Sequence, residues 1–112
     1  MEMNTDPTCI EITKDVLPAV RAAIAERLSR EYNYRQIDIA KKLGVAQVAV
    51  SKYLNSRYSK RVAKIKEFVV EKGMLNNIIK EILKGEEQKR ISKDIDEVCS
   101  SDSLLSFSMK QA

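Results

Sequence analysis

The stretch QIDIAKKLGVAQVAVSKYLN, residues 36–55, decides the fold of this chain. Its apolar residues recur at helical spacing over 35–43 and again over 46–55, which predicts two short helices. Gly44 lies between them, just past the last apolar position of the first helix, where a left-handed residue commonly ends a helix. The stretch therefore predicts two helices joined by a sharp turn.

Small and apolar residues stand where such a pair of helices must make contact. Ala40 leaves room for the crossing, and Val45 is placed to plug the turn into the core. Val50, Tyr53 and Leu54 fall within a narrow arc at 3.6 residues per turn. We expect the second helix to bury this arc and to leave the opposite one free.

The free arc of the second helix carries side chains that can read DNA. The predicted base contacts are Gln47, Val48, Ala49, Ser51 and Lys52. An amide can pair with adenine, a methyl can contact the thymine methyl, and Ser or Lys can reach a base edge or a phosphate. In DNA-binding helix pairs the N-terminal part of the second helix enters the major groove. Ala46 lacks the side-chain oxygen that usually caps this helix, which costs about 1 kcal/mol.

The charge distribution favours the same interpretation. Between residues 39 and 66 there is no Asp or Glu, whereas eight basic residues lie there. A basic block around a DNA-reading helix is the expected electrostatic footprint. The predicted DNA backbone contacts are Lys41, Lys42, Asn55, Arg57, Tyr58, Lys60, Arg61 and Lys64; for Tyr58 the alternative is packing with its hydroxyl in water. If about five cations reach phosphates, log affinity falls with log salt at a slope of roughly −4 to −5.

Residues 36–55 resemble the Cro/repressor-like (Xre-type) helix-turn-helix family. The wider stretch 7–58, about half of the chain, looks closer still to short archaeal predicted transcriptional regulators. The matching residues are Pro7 and Cys9, the helix VLPAVRAAIA at 16–25, and the run from Gln36 to Leu54. The resemblance implies a helix-turn-helix bundle of the lambda-repressor-like type and DNA-binding transcriptional regulation.

Composition predicts an all-α chain, because its 112 residues include only three Gly and two Pro. Only 5% of them are aromatic, so we expect a core of Ile, Val, Leu and Ala. Additional C-terminal helices are predicted over 60–72, 74–84 and 89–99. The expected organisation is a leader over 1–12, a DNA-binding helix-turn-helix domain over 13–72 and a helical extension over 73–99 that serves dimerisation. A flexible tail is expected over 100–112, with docking of Leu104, Leu105 and Phe107 as the alternative.

The first helix is predicted from about residue 13, with Pro18 in or near its first turn. Its expected apolar stripe consists of Leu17, Val20, Ile24 and Leu28. A second apolar run lies at 74–83, and it either covers the back of the bundle or forms a dimer interface. We expect a homodimer, because paired helix-turn-helix units read palindromic sites about 34 Å apart.

The two cysteines, Cys9 and Cys99, allow three interpretations. They are reduced thiols, a disulfide of the kind found in hyperthermophile proteins, or a redox or metal site shared across a dimer. Two thiols without a histidine cannot complete a mononuclear zinc site. We therefore expect no metal and no cofactor.

Other function classes find little support in the sequence. There is no nucleophile–base pair, no phosphate-cradling Gly-rich loop and no histidine, so we expect no enzyme. No apolar run of about 18 residues predicts a membrane span. Residues 1–8 lack the apolar segment of a secretory signal, so a cytoplasmic location is expected. The alternative to DNA binding is an adaptor that uses the helix-turn-helix for protein–protein contacts.

Overall fold

The computed structural model describes the backbone of residues 7–110 and the side chains of residues 14–110. Over this range the chain is all-helical, as predicted, and contains no strand. The helices are α1 (Pro7–Tyr32), α2 (Gln36–Leu43), α3 (Gln47–Leu54), α4 (Lys60–Glu71), α5 (Asn76–Leu83), α6 (Gln88–Cys99) and α7 (Asp102–Lys110). The predicted bounds of α2 to α6 agree with these to within two residues.

The central element is α1, which packs against α2, α3, α4, α6 and α7. Because neighbours surround it, buried residues lie around most of its circumference rather than in one stripe. They are Val16, Ala19, Val20, Ala22, Ala23, Ile24, Ala25 and Leu28, each at most 2% exposed. Leu17 is only half-buried, and the alanines let the other helices approach closely.

The first helix begins at Pro7, earlier than predicted. Residues 7–12 are therefore helical rather than an extended leader, and Pro18 lies inside the helix instead of in its first turn. An interior proline removes one helical hydrogen bond and costs about 3 kcal/mol. Val16, Ala19 and Val20 are buried around it, and their packing carries the helix through the proline.

The prediction of a flexible tail over 100–112 is wrong for residues 102–110, which form α7. Leu104 is fully buried, and the Phe107 ring stacks on Phe68 with their centroids 4.2 Å apart. Leu104 and Phe107 are three residues apart and so share one face of a helix. The docking of Leu104 and Phe107 agrees with the alternative for this segment, whereas the serine-rich composition did not predict the helix.

The apolar run at 74–83 covers the back of the bundle. Leu75, Ile78, Ile79 and Ile82 are each at most 2% exposed within the single chain. These side chains are already used in the core and cannot also form a dimer interface, which corrects that interpretation of the run. Of its large apolar residues only Leu83 is markedly exposed, at 43%.

Candidate nucleic-acid interface

The turn between α2 and α3 has the predicted geometry. Gly44 ends α2 in the left-handed region at φ 69°, and its N–H donates to the carbonyl of Ala40. The N–H of Val45 donates to the same carbonyl at 3.1 Å, which closes the turn. Ala40 is buried and Val45 packs partly against the core, so both fill the places that the sequence assigned to them.

The next helix, α3, presents the predicted face to solvent. Val50 is fully buried, and Tyr53 and Leu54 pack against the core. Five predicted base-contacting residues lie along its first two turns. Gln47, Val48 and Lys52 are exposed, while Ala49 and Ser51 are half-buried at the edges of that face. Val48 is 64% exposed, more than any other large apolar side chain that the structure describes.

The start of α3 lacks a side-chain cap, as predicted. Ala46 precedes it in an extended conformation and makes no capping hydrogen bond through its side chain. The backbone alone closes the first turn, with the N–H of Ala49 donating to the Ala46 carbonyl at 3.0 Å. At the other end, Asn55 Nδ2 donates to the Ser51 carbonyl at 2.8 Å, so this predicted DNA contact also serves its own helix.

Five basic side chains in the stretch 41–64, which contains α3, are exposed and form no ion pair with another described side chain. They are Lys41 on α2, Lys52 on α3, Arg57 in the connector 55–59, and Lys60 and Lys64 on α4. Lys60 and Lys64 are one helical turn apart and share a face of α4. We call these five residues the basic surround of α3.

The hydroxyl of Tyr58 forms hydrogen bonds with other side chains of the chain. Its hydroxyl donates to Glu26 Oε2 at 2.9 Å and accepts from Lys66 Nζ at 2.8 Å. Lys66 also reaches Glu26 Oε2 at 2.7 Å. Burial lowers the pKa of Lys66, but its hydrogen bonds with Glu26 and Tyr58 outweigh burial and leave that pKa above its ordinary value. This cluster ties the connector to α1 instead of offering Tyr58 to a phosphate.

Two further predicted backbone contacts also have partners within the chain. Arg61 Nε lies 2.9 Å from Asp15 Oδ2, and its Nη2 donates to the Ser108 carbonyl at 3.5 Å. Arg61 therefore joins α4 to α1 and α7. Lys42 is half-buried, and its Nζ donates to the Glu86 carbonyl at 3.5 Å. Neither cation is as free to reach DNA as the basic surround.

No pattern in the sequence indicates that α6 supports the turn. The side-chain amide of Gln88, the first residue of α6, occupies the space that any side chain at position 44 would need. Together with the contact between Lys42 and Glu86, it holds the start of α6 against the end of α2. No apolar pattern marks Gln88, because it lies in a charged stretch between two helices.

The cysteines remain apart from this interface in what the structure describes. Cys99 is half-buried and forms no disulfide with any side chain that the structure describes. Burial, and to a smaller extent the nearby Asp96, raise its pKa to about 11 against the opposing effect of Arg21, so the free thiol is protonated at neutral pH. The side chain of Cys9 lies outside the described residues, and a disulfide between the two stays a prediction. Among described residues, no group of three or more His, Cys, Asp or Glu is placed to hold a metal.

Within residues 7–110, no helix has both the length and the apolar content needed to cross a membrane. Comparisons with protein-family models, with curated proteins and with solved structures give no match for this chain.

Proposed function

We propose that this protein is a sequence-specific, double-stranded DNA-binding transcriptional regulator. In this proposal α2 and α3 are a helix-turn-helix of the Cro/repressor-like type, and α3 enters the major groove. The observation that carries the proposal is the exposed face of α3, Gln47 to Lys52, in a stretch of the chain whose exposed basic side chains have no ion-pair partner among the described residues.

The exposed face has the chemistry for base recognition. Gln47, at the N-terminal tip, has a free amide that can donate to and accept from one adenine edge. Val48 gains from contact with a thymine methyl, because that contact removes an exposed apolar side chain from water. Lys52, one turn further along, can reach a base or a phosphate. The half-buried Ala49 and Ser51 allow the groove wall to approach the helix closely.

The basic surround supplies the phosphate contacts in this proposal. Its five cations carry no internal pairing with described residues that DNA would have to break. Each phosphate contact releases counterions, so five contacts give a slope of log affinity against log salt of about −4.5. Tyr58, Arg61 and Lys66 contribute indirectly, since their contacts fix the connector and α4 on α1.

We further propose that the protein acts as a homodimer on a palindromic site, so that two copies of α3 occupy successive turns of one DNA face. The interface lies outside the buried face of α5. Sedimentation or light scattering at micromolar concentration tests this part, and a strict monomer with a single half-site would refute it.

The direct test is selection from a random-sequence duplex library with the purified protein. The proposal predicts enrichment of one related set of sites. Gel shifts on an enriched site then compare the wild type with Gln47→Ala combined with Lys52→Ala, and with the matched control Asn77→Ala combined with Lys80→Ala on α5. Only the α3 variant should lose specific binding. The adaptor alternative predicts no enrichment, and normal specific binding by the α3 variant would remove α3 as the reading helix.

A further inference from the structure

The second surface with a defined chemistry is a groove between α5 and α6. We call it the α5–α6 groove. Its accessible apolar lining is formed by the half-buried Met74 and Val98, since Ile78 beside them is only 1% exposed, and its acidic lining is formed by Glu81, Asp94 and Glu97. Its volume is about 530 Å³, within the range of ligand sites, but it is open to solvent along its length rather than enclosed. An open, partly apolar groove suits a polypeptide better than a small molecule.

The groove carries negative charge. Arg90 is the one basic residue in its lining, and its Nε lies 3.8 Å from Asp94 Oδ1, so these two largely offset each other. Glu81 and Glu97 form no ion pair with any described side chain. The groove therefore presents two uncompensated carboxylates beside apolar surface, which repels nucleic acid and attracts a cationic ligand.

The position of the groove separates it from the candidate DNA interface. Gln88, at the start of α6, contacts the turn between α2 and α3. Asp94, Glu97 and Val98 lie on a different side of the same helix, at helical spacing from one another. A partner in the groove can therefore be present while α3 is free to bind DNA.

We propose that the α5–α6 groove is a docking site for a basic helical segment of a partner protein. Such a segment places one apolar side chain against the half-buried Met74 and Val98, and Lys or Arg side chains against Glu81 and Glu97. A helix is the favoured form, because the described residues offer no strand edge for β-addition, and apolar grooves between helices accept amphipathic helices. Met74 is half-buried, and its flexible thioether can adapt to different apolar anchors.

The test uses a fluorescein-labelled peptide of about 15 residues, long enough to form a helix. It has Leu at helical spacing on one face and Lys on the others, and a scrambled peptide of the same composition is the first control. Fluorescence anisotropy compares Glu81→Gln combined with Glu97→Gln against Glu67→Gln combined with Glu71→Gln. The second pair removes the same charge from α4, and circular dichroism checks that both variants are folded.

The proposal predicts that the groove variant binds the peptide roughly 3- to 10-fold more weakly, because each exposed ion pair contributes modestly. The α4 variant should stay within about twofold of the wild type, and the scrambled peptide should bind about tenfold more weakly. Equal losses in both variants, or equal binding of the scrambled peptide, would overturn the proposal. So would a dimer in light scattering that only the groove variant dissociates, since the occupant is then a second copy. No DNA is present, so failure here leaves the DNA-binding proposal intact.

Discussion

Two helices of equal length, α3 and α5, use their side chains in opposite ways. Each is eight residues long, and each follows a short turn. In α5, Ile78, Ile79 and Ile82 are buried, so the helix serves the core. In α3 only Val50 is buried, whereas Val48 is left 64% exposed.

The difference shows what an apolar residue means in each place. Hydrophobic residues of α5 pack within the chain, and the helix is anchored by them. The helix α3 is held by one buried valine and two half-buried neighbours, which is enough to orient it but leaves most of its surface for a partner. Because α3 buries so little of its surface in the core, we expect the remaining surface to be accessible to a partner.

The largest expected effect is on the free energy of unfolding, which we compare for one substitution in each helix. Ile82→Ala should lower the free energy of unfolding by about 2–5 kcal/mol, because it leaves a cavity in the core. Val48→Ala should change it by less than about 0.5 kcal/mol, because the side chain is exposed. Urea denaturation followed by circular dichroism measures both. A similar loss in the two variants would mean that Val48 packs against the chain and is not available to DNA.

Base recognition is the next effect in size, and it should belong to α3 alone. Gln47→Ala should weaken binding to a selected site by about 1–3 kcal/mol, or about 5- to 150-fold, because it removes a bidentate contact. Asn77→Ala removes an equally exposed amide from α5 and should leave affinity unchanged. Equilibrium titration of labelled duplex provides the measurement; equal effects at the two positions would contradict a special role for α3.

The missing cap of α3 gives a smaller, stabilising prediction. Ala46→Ser provides an oxygen that can accept from the N–H of Ala49 and should raise the free energy of unfolding by about 1 kcal/mol. Ala63→Ser, inside α4, should instead lower it by about 0.5 kcal/mol, since serine is a poorer helix former there. Thermal unfolding of the pair checks the contrast. A loss of stability at position 46 would show that the first turn of α3 is capped in another way.

The smallest expected effect concerns a single phosphate contact. Lys64→Ala should reduce the steepness of the salt dependence by about one unit, because one fewer counterion is released. Lys80→Ala, an equally exposed lysine on α5, should leave that slope unchanged. Titrations at several salt concentrations distinguish the two variants. An equal change in slope would mean that the DNA interface extends onto the C-terminal helices.

Local patterns in the sequence predicted most of the helices of the fold. The apolar spacing located α2 to α6, and Ala40, Gly44, Val45 and Val50 occupy the places in the turn and core that their chemistry predicted. These features depend on neighbours within one or two helical turns. The same is true of the missing cap at Ala46.

The features that the sequence could not predict depend on residues that are far apart along the chain. Tyr58 and Arg61 are polar residues in a basic stretch, and this pattern predicts that they are exposed. Their partners Glu26 and Asp15, however, lie on α1. The local sequence pattern does not show that a carboxylate on another helix will bind each of these two side chains. The sequence allows Leu104 and Phe107 to dock but does not predict α7, because the burial of these side chains depends on α1 and α4.

The central claim is that α3 and its basic surround bind DNA by sequence. The most direct measurement is the affinity for a selected duplex and for a scrambled duplex of equal length, each titrated across a range of salt. We predict a preference of about 10³-fold or more for the selected duplex, with a slope of log affinity against log salt of roughly −4 to −5. Equal affinity for the two duplexes, or a slope near zero, would contradict the account.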